Sequence, residues 1–247
     1  MRSLIALAMV GVSTFAIGAV QAADMPEYPP IIEVPDVDYE LGGSFYLRGS
    51  AGLNGHWAKE AVHPGIPSAF PIESWGYGYS WGAGFGYETG TGLRFDATID
   101  SLETRGLSVT KSGLAPGSLN GKYTMMLRST IALANVYYDF GLGGDWSYGS
   151  NGGAFGYVGA GAGVAWNHVE TNAPVGNAIP TGGNVTPAAA IMAGVGYDMG
   201  TWVADVGYRG LWLGQLNNAP TADPNYYYEV NNSFIHEVRG TMRYRFN

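Results

Sequence analysis

The segment F-I-H-E-V-R-G-T-M-R-Y-R-F, residues 234–246, decides the fold because its residues alternate between two kinds. Successive side chains of a β-strand point to opposite faces. One face is mainly apolar with aromatic ends and comprises Phe234, His236, Val238, Gly240, Met242, Tyr244 and Phe246. The other face carries the charges of Glu237, Arg239, Arg243 and Arg245. A soluble sheet turns such a charged face to water, whereas a transmembrane barrel turns it to the lumen and the apolar face to lipid.

Seven further segments alternate in the same way, each close to the roughly nine to eleven residues that a tilted strand needs to cross a bilayer. They are residues 44–54, 75–88, 93–102, 125–138, 155–166, 188–198 and 202–213. The sequence therefore predicts an all-β fold, an eight-stranded antiparallel up-and-down transmembrane β-barrel, with the even strand number of single-chain bacterial barrels. Two registers stay open: the sixth segment alternates weakly, and a bulge near Asn135 would exchange the faces of the fourth.

The connections between these segments alternate in length. Residues 89–92 and 200–201 are short, and 139–154 form a longer glycine-rich connection. The long connections are residues 55–74, 103–124, 167–187 and 214–233. Short periplasmic turns and long extracellular loops produce this asymmetry in membrane barrels.

Ionisable residues gather on the faces that the prediction turns inward, and the outward faces carry no charge. A lipocalin-like soluble barrel also alternates, but it needs polar side chains on its outer face. The predicted lumen network comprises Arg48, Glu88, Arg94, Asp96, Asp100, Arg128, Asp205, Arg209, Glu237, Arg239, Arg243 and Arg245. Because isolated buried charges are costly and an eight-stranded interior is narrow, we expect a paired network that largely plugs the lumen.

The fourth segment makes the most specific prediction about lumen packing. It turns Leu127, Ile131 and Leu133 to lipid and Arg128, Thr130, Ala132 and Ala134 to the lumen. Strands one and five face each other across an eight-stranded barrel, as do strands four and eight. Arg48 should then point toward Gly159–Gly163, and the C-terminal arginines toward the small residues of the fourth segment.

Aromatic residues lie near both ends of the predicted strands. Those at the short-turn end are Phe45, Tyr87, Tyr197, Trp202, Tyr244 and Phe246, and those at the long-loop end are Trp75, Tyr77, Trp166, Trp212 and Phe234. Two such girdles are typical of the two lipid–water interfaces of a membrane barrel.

The N-terminal residues predict export. Residues 1–22 have the pattern of a removed signal peptide, with Arg2, an apolar stretch and a small-residue site ending at Ala22. Residues 23–41 hold four prolines, six acids and no base, and predict an extended, acidic periplasmic tail. Residues 42–247 form the predicted outer-membrane barrel. Loss of Arg2 leaves 12 − 1 = 11 basic against 20 acidic residues, which argues against nucleic-acid binding, and no cysteine is present.

The residues offer little for catalysis or cofactor binding. His236 and Glu237 are adjacent in one strand, so they point to opposite faces, and no G-x-S-x-G, H-E-x-x-H or P-loop motif occurs. We therefore predict no enzymatic activity, no catalytic residues and no cofactor. His56, His63, His168 and His236 all lie at the long-loop end, which leaves a surface metal or haem site as one hypothesis, although their spacing matches no ligand set. Tyr226–Tyr228 could anchor a surface partner or extend the outer girdle.

Six segments carry a family resemblance. They are F-Y-L-R-G-S-A-G at 45–52, L-R-F-D-A-T-I-D at 93–100, N-V-Y-Y-D-F-G at 135–141, Y-V-G-A-G-A-G at 157–163, D-V-G-Y-R at 205–209 and E-V-R-G-T-M-R-Y-R-F at 237–246. Together they resemble the small Gram-negative outer-membrane barrels of the OmpA/OmpX-like superfamily, of the "porin-family" surface-antigen type without a periplasmic domain. The resemblance implies that periplasmic chaperones and the barrel assembly machinery act on the chain, with Tyr244 and Phe246 as the assembly signal. Asn247 after the terminal aromatic departs from that pattern.

Two functions of different class follow from this sequence. The first is a structural outer-membrane surface protein, embedded in lipid and lipopolysaccharide, that supports envelope integrity and presents loops to a surface or host ligand. The alternative is a porin-like narrow channel for small polar solutes. Binding of haem, metal or a host ligand through the loops is a third hypothesis.

Overall fold

The computed structural model describes residues 43–63, 66–111, 121–142, 152–172, 181–218 and 229–246. The predicted signal peptide (1–22), the predicted tail (23–41) and Tyr226–Tyr228 lie outside the described residues. Among the described residues, no helix is long and apolar enough to span a membrane.

Twelve strands form two sheets within the described part of the chain. They are β1 (Ser44–Trp57), β2 (Glu60–His63), β3 (Ile66–Pro71), β4 (Gly76–Glu88), β5 (Leu93–Lys111), β6 (Gly121–Gly141), β7 (Gly153–Asn172), β8 (Gly182–Asp198), β9 (Trp202–Leu213), β10 (Leu216–Asn217), β11 (Glu229–Val230) and β12 (Ser233–Phe246). Eight of them close in the order β1-β12-β9-β8-β7-β6-β5-β4, and the others form a small sheet in the order β10-β11-β2-β3. The prediction of an eight-stranded antiparallel barrel is confirmed.

The stagger of the barrel follows from its strand register. Starting at Phe45 and stepping from partner to partner once around the barrel, the path passes Tyr87, Phe95, Val136, Ala160, Ile191, Gly210 and His236 and returns to β1 at Gly55, so the shear is 55 − 45 = 10 residues. With strands about 4.8 Å apart and a rise of about 3.3 Å per residue, this shear gives a strand tilt of about 40°. Ten residues then cover about 25 Å along the barrel axis, the height of a bilayer's apolar band.

The side chains of seven barrel strands face as the alternation predicts. In β12, for example, Val238 is 61% exposed and Arg239 only 4% exposed. Aromatic contacts form at both ends of the barrel: Trp202 meets Tyr244 edge-on at 5.0 Å between ring centroids at the short-turn end, and Trp75 stacks on His236 at 5.5 Å at the long-loop end. The outer surface between the girdles is thus apolar.

Strand β6 has the opposite parity, and the prediction for it was wrong. Leu127, Ile131 and Leu133 are buried in the barrel interior, and Arg128, Thr130, Ala132 and Ala134 lie on the outer side. The strand pairs with β7 from Thr124 to Gly141 without a register shift, so no bulge exchanges its faces. Because Asn135, Tyr137 and Asp139 are buried inside, the leucines and isoleucine at the same parity must be inside too.

Strands β1, β5, β6, β7 and β8 extend further toward the loop end than predicted. Of the connection predicted at 103–124, residues 103–111 and 121–124 instead continue the paired strands β5 and β6, with an irregularity between Arg105 and Leu107 where Gly106 adopts a φ of +93°. A left-handed φ of this kind suits glycine and marks a bulge. The connections predicted at 55–74 and 214–233 contribute all four strands of the small sheet, hereafter the cap sheet. Its Ala61, Leu216 and Val230 belong to a buried apolar cluster that also contains residues of β5 and β6.

Candidate functional site

The barrel lumen is the candidate site, and its short-turn half is filled by what we call the lower cluster. Its members are Arg48, Glu88, Arg94, Asp96, Asp139, Asp198, Asp205, Arg243 and Arg245. Arg94 binds Asp139 through two parallel hydrogen bonds of 2.9 Å each. Arg48 Nη1 donates to Asp96 Oδ2 at 2.7 Å. Such charge-assisted pairs offset part of the cost of burying each ion.

Arg243 and Arg245 of β12 extend the lower cluster around the short-turn rim. Arg243 Nη1 lies 3.3 Å from Glu88 Oε2, and its Nε lies 3.9 Å from Asp205 Oδ2. Arg245 pairs with Glu88 and, at 2.7 Å, with Asp198. These two arginines therefore connect β12 to β4 on one side and to β8 and β9 on the other.

Tyrosine side chains fill the space between the charges of the lower cluster. Tyr46 Oη donates to Asp96 Oδ2 at 2.9 Å, and Tyr137 Oη accepts from Arg48 Nη1 at 2.8 Å. The Arg94 guanidinium lies over the Tyr137 ring, 4.0 Å from its centroid. A cavity of about 10 Å³ beside these groups has room for about one water molecule.

A second group of charges lies further toward the loop end, hereafter the upper ring: Asp100, Arg209, Glu237 and Arg239. Arg209 reaches Asp100 at 2.6 Å and Glu237 at 3.0 Å, and Arg239 reaches the same carboxylates at 2.8 Å and 3.3 Å. Ser80 Oγ donates to Glu237 Oε2 at 2.8 Å. Each carboxylate thus meets two guanidinium groups, and each guanidinium two carboxylates.

Charge in the lumen is nearly balanced. The two groups together hold six arginines and seven carboxylates, a formal net charge of 6 − 7 = −1. Eleven of the twelve residues predicted for the network face inward. Two carboxylates were missed, Asp139 and Asp198, because each stands at the end of its strand, where the sequence pattern suggests a turn.

Arg128 is the predicted member that does not belong to the lumen. Its side chain is 49% exposed on the outer side of β6, where it contacts Glu103 at 3.4 Å and Glu170 at 3.3 Å. The reason is the parity of β6, which places Leu127 and Ser129 inside on either side of it. The lumen network therefore has no contribution from Arg128.

Lumen-facing glycines make room for large neighbours, although not for those predicted. A Cβ at Gly159 would clash with the Tyr137 ring, and one at Gly161 with Asn135. Arg48, expected over these glycines, instead covers Gly84 of the adjacent β4. The C-terminal arginines likewise do not face Thr130, Ala132 or Ala134, which lie outside.

An apolar layer closes the lumen on the loop side of the upper ring. Its members are Leu102, Ile131, Leu211, Leu213 and Ile235, each at most 1% exposed. Leu102 follows Asp100 by two residues in β5, Leu211 follows Arg209 in β9, and Ile235 precedes Glu237 in β12. Since i and i+2 side chains of a strand share a face, this layer stacks directly on the ring.

The histidines do not converge on a common site. His56 is buried inside β1, whereas His168 and His236 lie on the outer sides of β7 and β12. Tyr208 Oη and His236 Nδ1 lie 2.7 Å apart, and Glu237 points into the lumen. Within the described ranges, no group of three or more histidine, aspartate or glutamate residues is arranged to hold a metal ion. The side chain of His63 lies outside the described residues.

No protein-family model and no curated protein matches this chain. Solved structures that resemble it include small outer-membrane β-barrel proteins. Neisserial surface protein A (NspA) is 19% identical with a TM-score of 0.49, over 83% of this chain and 99% of NspA. OprG from Pseudomonas aeruginosa is 14% identical with a TM-score of 0.47, over 82% and 96%. The outer membrane protease OmpT from Escherichia coli is 11% identical with a TM-score of 0.41, over 82% and 97%.

At these identities the likeness concerns the fold alone. The barrel assignment itself rests on the closed hydrogen-bond register, the shear and the inward and outward faces described above.

Proposed function

We propose that this chain is an exported outer-membrane β-barrel that acts as a structural surface protein with a closed lumen. It contributes to envelope integrity and presents its loop end to the outside. The observation that supports this function is the apolar layer that stacks on the upper ring. In β5, for example, the buried Leu102 of the layer lies two residues from the buried Asp100 of the ring, on the same face of the strand. A channel for polar solutes needs a continuous polar path, which such a layer interrupts.

The outer surface supports the membrane location. Among the described residues, no arginine, lysine, aspartate or glutamate lies on the outer side between the short-turn girdle and the level of the cross-strand pair Ser101 and Thr130. Leu53 is 75% exposed, Ile99 63% and Ile191 61%. Exposed apolar side chains spread around a whole barrel need a lipid environment. Outer-membrane lipid and lipopolysaccharide are the proposed surroundings.

The last strand supports a role for the assembly machinery. Tyr244 and Phe246 lie on the outer side of β12 at the short-turn end, with ring centroids 5.4 Å apart. The same strand closes the barrel by pairing with β1 from Phe246 to Phe234. An exposed aromatic pair on the closing strand is accessible to a partner before closure, which is consistent with an assembly signal.

Planar-bilayer recordings of the purified full-length protein test the closed lumen. We expect very low or no conductance from the wild type and increased conductance when Leu102 and Ile235 are both replaced by serine, because polar side chains hydrate the apolar layer. Large, stable conductance from the wild type would overturn the proposal in favour of the porin-like alternative. In cells, deletion should raise sensitivity to detergents without loss of small-solute uptake.

A further inference from the structure

Five charged or titratable residues among those described lie together on the outer side of the barrel, hereafter the outer charged row: Glu103, Arg105, Arg128, His168 and Glu170. Glu103, Arg128 and His168 are direct cross-strand neighbours on β5, β6 and β7. Arg105 and Glu170 lie two residues further toward the loop end on the flanking strands. These strands, of 19, 21 and 20 residues, are the longest of the barrel.

Signs alternate along the outer charged row. Arg105 Nε donates to Glu103 Oε1 at 2.6 Å, and Arg128 reaches Glu103 at 3.4 Å and Glu170 at 3.3 Å. His168 Nε2 lies 3.7 Å from Glu170. The side chains of Arg105 and Arg128 remain 65% and 49% exposed. The carboxylates therefore orient the two guanidinium groups without burying them.

The row begins where the apolar band ends. Thr130 and Trp166 are cross-strand partners, and the next outward residues toward the loop end are Arg128 and His168. Trp166, 49% exposed, belongs to the aromatic girdle that marks the interface. Side chains one step beyond that girdle lie at the height of the lipid headgroups.

In the parts of the chain that the structure describes, the outward positions at the loop-side ends of β8, β9, β12 and β1 carry no charge, although the exposed Lys59 follows two residues after the end of β1. The outward residues at the corresponding ends of β8, β9, β12 and β1 are Val185, Trp212, Phe234 and Trp57. Charges that only attract lipid headgroups in general could lie anywhere around the barrel. A concentration of charged side chains on the ends of three adjacent strands favours contact with a particular headgroup.

The outer surface below the row forms a shallow concavity. It has a volume of about 710 Å³ and is lined mainly by small residues, including Ala83, Ala97, Ala132, Ala134, Ala162 and Gly163. Ile99 and Phe85 also line it. The strands that carry the outer charged row therefore also carry a surface onto which acyl chains can pack.

We propose that the outer charged row binds a phosphorylated glycolipid of the outer leaflet, with its phosphate held by Arg105 and Arg128 and its acyl chains on the concave surface below. Guanidinium groups match phosphate geometry with paired N–H donors. This site deepens the proposed function, since it rests on an outer-membrane location. It assigns Arg128, which is absent from the lumen network, a role outside the barrel.

Lipid binding by the folded, detergent-solubilised full-length protein tests this site. Native mass spectrometry would follow titration with diphosphoryl lipid A and with the same lipid after enzymatic removal of its phosphates. We expect the wild type to bind the phosphorylated form about tenfold more tightly, as two exposed cation–phosphate contacts allow. The variant R105A/R128A should bind both forms equally. The control K59A/K122A removes the same charge from exposed loop-end positions and should behave as the wild type.

Three results would overturn the proposal: no phosphate preference in the wild type, an unchanged preference in R105A/R128A, or an equal loss in the control. Gel migration before and after boiling verifies that each variant is folded. If R105A/R128A does not fold, the single variant R105A is tested for loss of the phosphate preference instead. Failure of this site is distinguishable from failure of the proposed function. If the wild type shows no conductance in bilayer recordings and also no preference for the phosphorylated lipid, only the lipid site is rejected and the closed lumen stands.

Discussion

Arg209 and Asp100 form a 2.6 Å ion pair although their strands, β9 and β5, lie on opposite sides of the barrel, four strands apart in either direction. The pair therefore crosses the centre of the lumen. Both side chains are 1% exposed, so the pair is shielded from solvent. Buried pairs of this kind contribute little as a net term, but loss of one partner leaves an uncompensated charge.

Replacement of either partner should therefore destabilise the barrel. We expect Arg209→Met and Asp100→Leu each to lower the free energy of unfolding by about 3–5 kcal/mol. The double variant should lose clearly less than the sum, because it leaves fewer unpaired charges in the ring. Urea titration of the protein folded into lipid vesicles measures all three losses. Strictly additive losses would show that the two side chains are not coupled.

Gly82 provides a test of packing against the same carboxylate. A Cβ at this position would clash with Asp100 Oδ1, whereas a Cβ at Gly49, on the outer side of β1, meets nothing within 4 Å. We expect Gly82→Ala to cost about 1–3 kcal/mol through overpacking and displacement of Asp100. Gly49→Ala should be close to neutral. Equal stability of the two variants in urea titrations would contradict the described position of Asp100.

The sequence predicted the fold well where charge and apolarity alternate strictly. In β9, Asp205 and Arg209 alternate with apolar residues, and the predicted bounds 202–213 equal the observed strand. A charged residue at every second or fourth position leaves one parity for the lumen, and cross-strand pairing then fixes its neighbours. For this reason the inward faces of β1, β5, β9 and β12 could be assigned from their charges, whereas in β4, β7 and β8 the assignment rested on apolar or aromatic residues that alternate with glycine.

The alternation gave the wrong faces for β6 because apolar side chains occur on both the inner and the outer face of the barrel wall. Ile131, a member of the apolar layer, and Leu133 are buried in the lumen, whereas the outward Ala132 and Ala134 are small. Hydrophobicity alone therefore assigns the larger residues to lipid. Arg128 was misplaced for a related reason: a charge faces outward once its strand has passed the apolar band, and local alternation contains no information on height.

The cap sheet could not be predicted for a different physical reason. Strands β10 and β11 have only two residues each, and β11 pairs with β2 across more than 160 residues of sequence. Such short strands show no alternation of their own. Their pairing depends on the closed barrel, which brings the distant loop ends together.

The apolar layer should contribute through tight packing. Leu102 is 1% exposed inside the barrel, and Leu53 is 75% exposed on its outer side. Leu102→Ala leaves a cavity and should lower the free energy of unfolding by about 2–5 kcal/mol. Leu53→Ala should cost less, because lipid chains fill the vacated space. Urea titration in vesicles compares the two, and a larger loss for Leu53→Ala would contradict a packed lumen.

The C-terminal aromatic pair predicts an effect on assembly rather than on stability. We expect Phe246→Ala to lower the amount of folded protein in the outer membrane several-fold, while the purified variant refolds into vesicles with nearly unchanged stability. Phe45→Ala is the matched control, since Phe45 pairs directly with Phe246 across β1 and β12 and is similarly exposed. Quantitative blots of membrane fractions, with unboiled samples, measure the folded amount. Equal losses for both variants would argue against a terminal signal.

The parity of β6 can be tested residue by residue, because the chain contains no cysteine and single-cysteine variants are unique labelling sites. Spin labels on residues 132, 134 and 136 should face acyl chains, and labels on 131, 133 and 135 should face the lumen. Molecular oxygen is enriched in the bilayer, so relaxation by oxygen should be strong at the even positions and weak at the odd ones. The reverse pattern would restore the inward parity for Arg128 and remove it from the outer charged row. Labels on β12 at 238 and 239 provide the reference, because Val238 is outward and Arg239 inward.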